Sequence, residues 1–466
     1  MIRYFHQLIN FILEIRTFFL FWGGQSLSEI GNRLTGFGLS IWVYQHTHAV
    51  TQLSVVIFLT TLPGVLITPV VGALVDRWNR QVIIIISDMV AAIVTLTLAI
   101  LLFTNYLEVW HTYISAFITS LCGSFQMIAK SAAVTMMVKN DQIGRANGLI
   151  QLSTAVGQLT APILAGILIG AIELQGLLVL DFSSYIIALI ILSIIKIPEP
   201  ESSDNNLSQR LTVFQEIAYG WASISGHFVL VILLVFMTLH FFISGMTTVL
   251  IDPLILSFAS TITFGTVMSI AGCGMVVGSV FMSIWGGGKK SILTLFVFSA
   301  LNGVALIIAG FKPFIPTIAV GLFISFFTIP IVLSTNYTIW QTSVHPKVQG
   351  RVLSLLGAVT GLGLACGNLS ASPLADGMLE PMLSNGGLLA STVGQIIEIG
   401  QGRGIGLLMI LEGLLMLITA MLLYNYFYFR QSDQKWSMPK MDEQWLNTTA
   451  TTIANTIEES DKITNS

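Results

Sequence analysis

Charge is what this sequence has least of. Asp, Glu, Lys and Arg make up 9% of its 466 residues, where a soluble domain carries roughly 25%, so the chain cannot cover itself with polar surface. Cysteine is scarce too. Cys122, Cys273 and Cys366 all lie in apolar runs without metal-ligand spacing, which excludes a disulfide framework and a cysteine metal site. The net charge of −3 lacks the basic surplus of a nucleic-acid-binding protein. A nucleophile–base constellation, a metal-ligand cluster and a phosphate loop are equally missing. The run Gly286-Gly-Gly-Lys-Lys-Ser291 only imitates a phosphate loop: Ser283 stands where the loop needs Gly, and Lys290 where it needs Ser or Thr. An enzyme is therefore not expected, nor is a metal or other cofactor.

What is present is apolar. Hydrophobic residues make up 54% of the chain, mean hydropathy is +0.83, and the apolar runs recur at lengths that cross a hydrocarbon core. The first, 11–20, is interrupted by Glu14 and Arg16 and reads as a retained interfacial helix, not a cleaved signal. Twelve spans follow: 18–44, 53–75, 82–103, 113–137, 149–172, 177–197, 228–250, 264–285, 292–311, 315–339, 353–373 and 405–429. The expected fold is all-α, integral to the membrane, in two pseudo-symmetric bundles of six helices. Residues 1–197 form the first bundle, 198–226 a cytoplasmic linker with an amphipathic helix, 227–430 the second bundle, and 431–466 a disordered cytoplasmic tail.

Of the 20 Lys and Arg, all but Arg33, Lys312 and Arg403 fall on one side of these spans. Basic loops stay inside, so both termini are expected in the cytoplasm. An internal repeat recurs at an offset of 206 residues: Val70-Val71-Gly72 with Val276-Val277-Gly278, Gly144-Arg145 with Gly350-Arg351, and Gly157 with Gly363. Parallel repeats of this kind build transporters from two halves.

The strongest motif is Gly72-Ala-Leu-Val-Asp76-Arg77-Trp-Asn79-Arg80-Gln81, between spans two and three. Gly72 permits close helix approach, Asp76 can face the positive N-terminus of a neighbouring helix, and Arg77 and Arg80 supply donors on the rim. This resembles the G-x-L-x-D-R-x-x-R signature of the major facilitator superfamily, with Asn79 where the pattern has Gly. The resemblance implies a latch between the halves that stabilises the outward-open state. The second half has no matching acid, since Met282 takes that position. Span five carries Gly157-Gln-Leu-Thr-Ala-Pro162-Ile-Leu-Ala-Gly166, similar to the superfamily's exporter pattern, with Ala for Gly at two places; the resemblance implies a tightly packed seal against inward leak. Trp340–Val352, Pro373–Pro381 and Gln401–Gly406 add a similarity to the bacterial macrolide-efflux branch, which includes exporters of siderophores and other metabolites.

An ionisable group near a span's centre costs about 2.5–3.5 kcal/mol on insertion scales, so each needs a partner or a task. Glu29 and Arg33 can pair on one face of span one, with Gln25 and Asn32 extending the polar patch toward a central cavity. Glu29 either exchanges a proton, its partner Arg33 alternating with it, or forms a permanent ion pair that neutralises both charges. Asp181 and Glu412 are further proton-site candidates, and His240 titrates in the right range but equally suits packing. Asp88, one turn into span three, is assigned to the latch rim. The expected function is export of a small amphipathic compound, a drug or a secreted metabolite, by proton antiport and alternating access in the bacterial inner membrane. A metabolite or lipid facilitator, or a non-transporting scaffold or sensor, are the alternatives.

Overall fold

The computed structural model describes residues 16–47, 50–198, 220–288 and 290–432, and among them no strand occurs. Eleven long helices carry the architecture: α1 (Arg16–Thr47), α2 (Val50–Arg77), α3 (Arg80–Phe103), α4 (Val109–Met137), α5 (Ile143–Ile194), α6 (Phe228–Leu256), α7 (Thr261–Trp285), α8 (Ser291–Phe311), α9 (Ile315–Ser343), α10 (Gln349–Leu374) and α11 (Arg403–Ser432). Helix α5 is two spans in one. Glu173 breaks it with φ 57° and ψ −175°, and the chain reverses there, so the eleven helices make twelve crossings. The sequence reading placed a short loop at this point; a single residue makes the turn.

Nine helices among the described residues are long and apolar enough to cross a membrane, or ten if α2, bent by 55°, counts as one span. Helix α1 and the first arm of α5 complete the twelve. Both fall short in apolarity because they carry interior polar groups such as Glu29, Arg33, Asn147 and Gln158. Exposed apolar side chains such as Leu66, Ile93, Ile194 and Phe429 form the surface that meets lipid. The chain is a multi-pass membrane protein.

The N-terminal bundle contains α1 to α5 and the C-terminal bundle α6 to α11. They meet along two seams, α2 against α10 and α5 against α7. The repeat seen in the sequence explains the pairing. Gly350, at the start of α10, lies against Gly72 and Asp76 at the end of α2. Gly144, at the start of α5, lies against Gly286 at the end of α7. A Cβ on Gly144 would come 2.1 Å from the Gly286 carbonyl oxygen, so only glycine lets these backbones touch.

Local chemistry sets the turn between α2 and α3. Asn79 has φ −59° and its side chain accepts the N–H of Val82, an N-cap that satisfies one of the helix's unpaired donors. The turn needs no left-handed residue, so Asn serves where the family pattern has Gly. The amphipathic stretch of the linker before Gly220 and the tail beyond Ser432 lie outside the described residues.

Candidate functional site: a closed latch and an open cavity

Cross-bundle hydrogen bonds gather at the end of the molecule where α1 begins. The Asp76 carboxylate accepts the backbone N–H of Gly350 at 2.7 Å and of Arg351 at 2.9 Å, which places it on the N-terminus of α10, where the helix dipole favours an anion. The Arg351 guanidinium stands 3.9 Å from the same carboxylate. Arg80 reaches across the seam to donate to the Pro346 carbonyl at 2.7 Å, and also donates to Ala132 of α4 at 3.2 Å. Arg77 is exposed. Gly72 has the role that its size suggests: a Cβ there would lie 2.0 Å from Ser354 Oγ and 2.5 Å from the Gly350 carbonyl.

Six residues of this closure carried no role in the sequence reading. Asn147 donates to Gln341 at 2.7 Å and to Thr338 at 3.1 Å. Gln341 donates to the Ser131 carbonyl at 2.8 Å. Thr135 donates to Gln349 at 3.0 Å. Asn147, Gln341 and Gln349 lie just beyond the ends of the spans read from the sequence, so the signal available was only a polar side chain beside an apolar run.

Toward the other end the halves separate around a central cavity of about 850 Å³, within the range of small-molecule sites. Its walls combine Thr and Ser hydroxyls from α1 to α4 with apolar groups such as Phe37, Met127 and Phe241. Arg33 is the one charged side chain among the residues lining it, and Asn32 stands beside it. Arg33 Nη2 donates to Glu29 Oε1 at 2.8 Å, with both side chains about one-third exposed, and Thr154 of α5 donates to the same oxygen at 3.3 Å.

The model of the Major Facilitator Superfamily matches residues 21–368. This chain belongs to the major facilitator superfamily. It is 26% identical to the macrolide efflux protein A of Streptococcus pyogenes over 77% of this chain and 89% of that protein. It is 24% identical to the multidrug efflux pump Tap of Mycolicibacterium fortuitum over 74% and 86%. The fold superposes on the human organic anion transporter MFSD10 with a TM-score of 0.64 at 15% identity, covering 88% of this chain and 99% of that one. It also matches a bacterial homologue of the iron transporter ferroportin in its outward-facing state, with a TM-score of 0.61 at 14% identity, over 89% and 100%. The protein is a transporter of this superfamily, and macrolide efflux proteins are among the relatives it resembles.

Within this transporter two sequence assignments need correction. Asp88 does not join the latch rim. It is fully buried and accepts from Gln25 of α1 at 2.8 Å and Gln126 of α4 at 2.7 Å, so it ties three helices together inside the N-terminal bundle, and Gln25 turns toward it instead of toward the cavity. Lys130, counted on the basic rim, points inward from α4, about 10 Å before the helix end at about 1.5 Å per residue. It donates to Gln126 at 3.0 Å and lies in the field of both Asp88 and Glu29.

The exporter-pattern glycines differ from each other. A Cβ at Gly157 would meet Arg33 Cδ at 2.9 Å, whereas nothing lies within 4 Å of one at Gly166. The α5–α7 seam is tight only as far as Leu159 against Gly272, after which the helices part. Gly157 therefore makes room for an arginine, and the tight packing expected at Gly166 is absent in this conformation. Pro162 sits on the same parting stretch of α5. Asp181, fully buried, accepts from Thr95 at 3.2 Å one layer behind the cavity wall. Glu412, in the other bundle, accepts from Thr247 at 2.8 Å. Among the described residues no cluster of His, Cys, Asp and Glu could hold a metal ion.

Proposed function

We propose that this transporter exports a small amphipathic compound from a bacterial cytoplasm by alternating access, in exchange for protons. One observation carries the reading: the cavity opens at the end opposite the Asp76–α10 closure. If the basic end faces the cytoplasm, as Lys and Arg distribution requires, this conformation is outward-open and the 76–80 turn is its latch. Both termini, the 198–226 linker and the 431–466 tail are then cytoplasmic. The efflux function named for the related proteins supports the outward direction.

The coupling follows from Glu29 and Arg33. A proton on Glu29 releases Arg33, and loss of the proton restores the pair, so access to Glu29 from either side can be tied to the state of the cavity. Asp181, behind the same wall, is the second proton candidate. Arg33, the only charge among the described residues of a hydroxyl-rich wall, favours a secreted metabolite rich in hydroxyl and carbonyl groups over a lipophilic cation, because a cation would face an arginine.

Inside-out vesicles with an imposed proton gradient and an internal pH dye test this reading. Macrolides, lipophilic cations and siderophore-like compounds would be compared in wild type and Glu29→Gln. Substrate-induced proton release that disappears in the variant is expected. Release that persists at the wild-type rate would remove Glu29 from the coupling path and leave the pair a structural one.

A further inference from the structure

The C-terminal bundle encloses a second cavity, of about 230 Å³. One face of α6 runs along it from end to end. His240, Ser244, Thr247, Thr248 and Asp252 fall at the spacing that aligns side chains on one helix face. From His240 to Asp252 the helix rises about 18 Å. A volume of this size holds on the order of eight waters at ~30 Å³ each, and a single hydrogen-bonded file over about 18 Å needs about seven at ~2.8 Å spacing. The cavity is a slot long enough for a file of waters and is too small for a drug-sized molecule.

Two buried polar atoms have no partner: Nδ1 of His240, which lines the slot and is 5% exposed, and Oε1 of Glu412, which lies behind the wall residue Thr247 and is 4% exposed. Glu412 enters from α11, and its other oxygen accepts from Thr247 of the slot wall at 2.8 Å. The charged groups around them are few. Asp252 on α6 stands exposed at the mouth. Among the described residues α7, α8, α9 and α10 bring no charged side chain to either group; Asn302 of α8 and Ser325 of α9 face the slot instead, bonded to each other at 3.0 Å. A buried carboxylate with one empty oxygen and no cation beside it is costly when ionised, and a proton removes that cost.

We propose that this slot is a water-filled proton path from the open end of the molecule into the C-terminal bundle, with Glu412 and His240 as its two proton-holding groups. A proton enters at Asp252, passes along the waters and the hydroxyls of Thr248 and Ser244, and rests on Glu412 Oε1 or His240 Nδ1. The consequence for transport lies in α6. Phe241 lines the central cavity while the adjacent His240 lines the slot, so charge arriving on one face of this helix acts one residue away from the substrate wall. The proton site stands apart from the Glu29–Arg33 pair and depends neither on the direction of transport nor on the substrate.

Infrared difference spectroscopy on the full chain in lipid nanodiscs tests this without a substrate, over about pH 5 to about pH 9. A carboxylic-acid C=O band should titrate in that window, vanish in Glu412→Gln and move in frequency in Glu412→Asp, which keeps the acid if Gln disturbs folding. His240→Gln should shift the midpoint of the band by about one pH unit. Exchange of the band's proton in D2O should slow by about tenfold when Ser244→Leu plugs the slot. A band untouched by Glu412→Gln, a midpoint indifferent to His240→Gln, or exchange unaffected by the plug would each overturn the proposal. So would a band that moves on replacing choline by Na+ at fixed pH, which would make the slot a cation site.

Discussion

Neutralising Asp76 should open the closed end of the transporter. Asp76→Asn keeps the side chain's shape but removes its charge from the start of α10, where the carboxylate accepts two N–H donors at 2.7 and 2.9 Å. The amide can present its oxygen to only one of them and turns an NH2 toward the other. A hydrogen bond to a charged group is worth about 1.5–3 kcal/mol and a neutral one about 1 kcal/mol, so a net loss of about 2 kcal/mol is expected. That shifts the ratio of closed-latch to open-latch molecules by about thirty-fold. Arg80 would keep its bonds to Ala132 and Pro346, which limits the effect to the seam between α2 and α10.

Spin labels at Asp141, just before α5, and Lys290, between α7 and α8, both exposed, report the change in a chain whose three native cysteines are replaced by Ser. Wild type should give one short distance by pulsed electron resonance, and Asp76→Asn a second, longer one at comparable amplitude. Gly72→Val supplies an independent perturbation, because a Cβ there collides with Ser354 and the Gly350 carbonyl. A single unchanged distance in both variants would refute the latch reasoning, since neither the charge nor the close approach would then hold the bundles together.

Two further outcomes follow from the same geometry. Gly157→Val should displace Arg33, whose Cδ lies 2.9 Å from the added Cβ position, and separate it from Glu29. Transport in proteoliposomes should fall by about tenfold or more while thermal stability changes little, because the valine faces a cavity instead of a packed seam. Glu380→Gln should act oppositely, on stability. The Glu380 carboxylate accepts from Gly402 at 2.6 Å and Gly404 at 2.7 Å, capping α11, so its neutralisation should cost about 1–2 kcal/mol. The unfolding midpoint in detergent should drop by several degrees with the transport rate per folded molecule unchanged; an unmoved midpoint would show that the cap carries no weight.

Several features were legible before any coordinates. The Glu29–Arg33 pair follows from spacing alone, because residues four apart share a helix face whatever surrounds them. The role of Gly72 follows from the 72–81 motif, whereas the contact of Gly144 with Gly286 was not read from the internal repeat, whose counterpart of Gly72 is Gly278. Asp88 and Lys130 were misread for one shared reason: their depth along a span was clear, but the direction each faces was not. Gly157 was read as helix packing, and its neighbour is the side chain of Arg33. Asn147, Gln341 and Gln349 stood in plain view as polar residues at the ends of apolar runs, yet nothing in a single span says which other span it meets.

The number of spans, the division into two halves, the side that carries the basic residues and the turn that joins α2 to α3 are properties of the sequence by itself. Bilayer thickness imposes a run length, lipid forbids unpaired backbone, and local pairs and caps act over a few residues. The setting of each helix about its own axis was decided only in the tertiary structure. A neighbouring helix and a lipid tail are equally apolar, so hydrophobic periodicity does not distinguish the packed face from the outer one. Which polar groups close one end, which line the cavity and which share the slot along α6 therefore depend on small-residue contacts and hydrogen bonds between spans far apart in the chain.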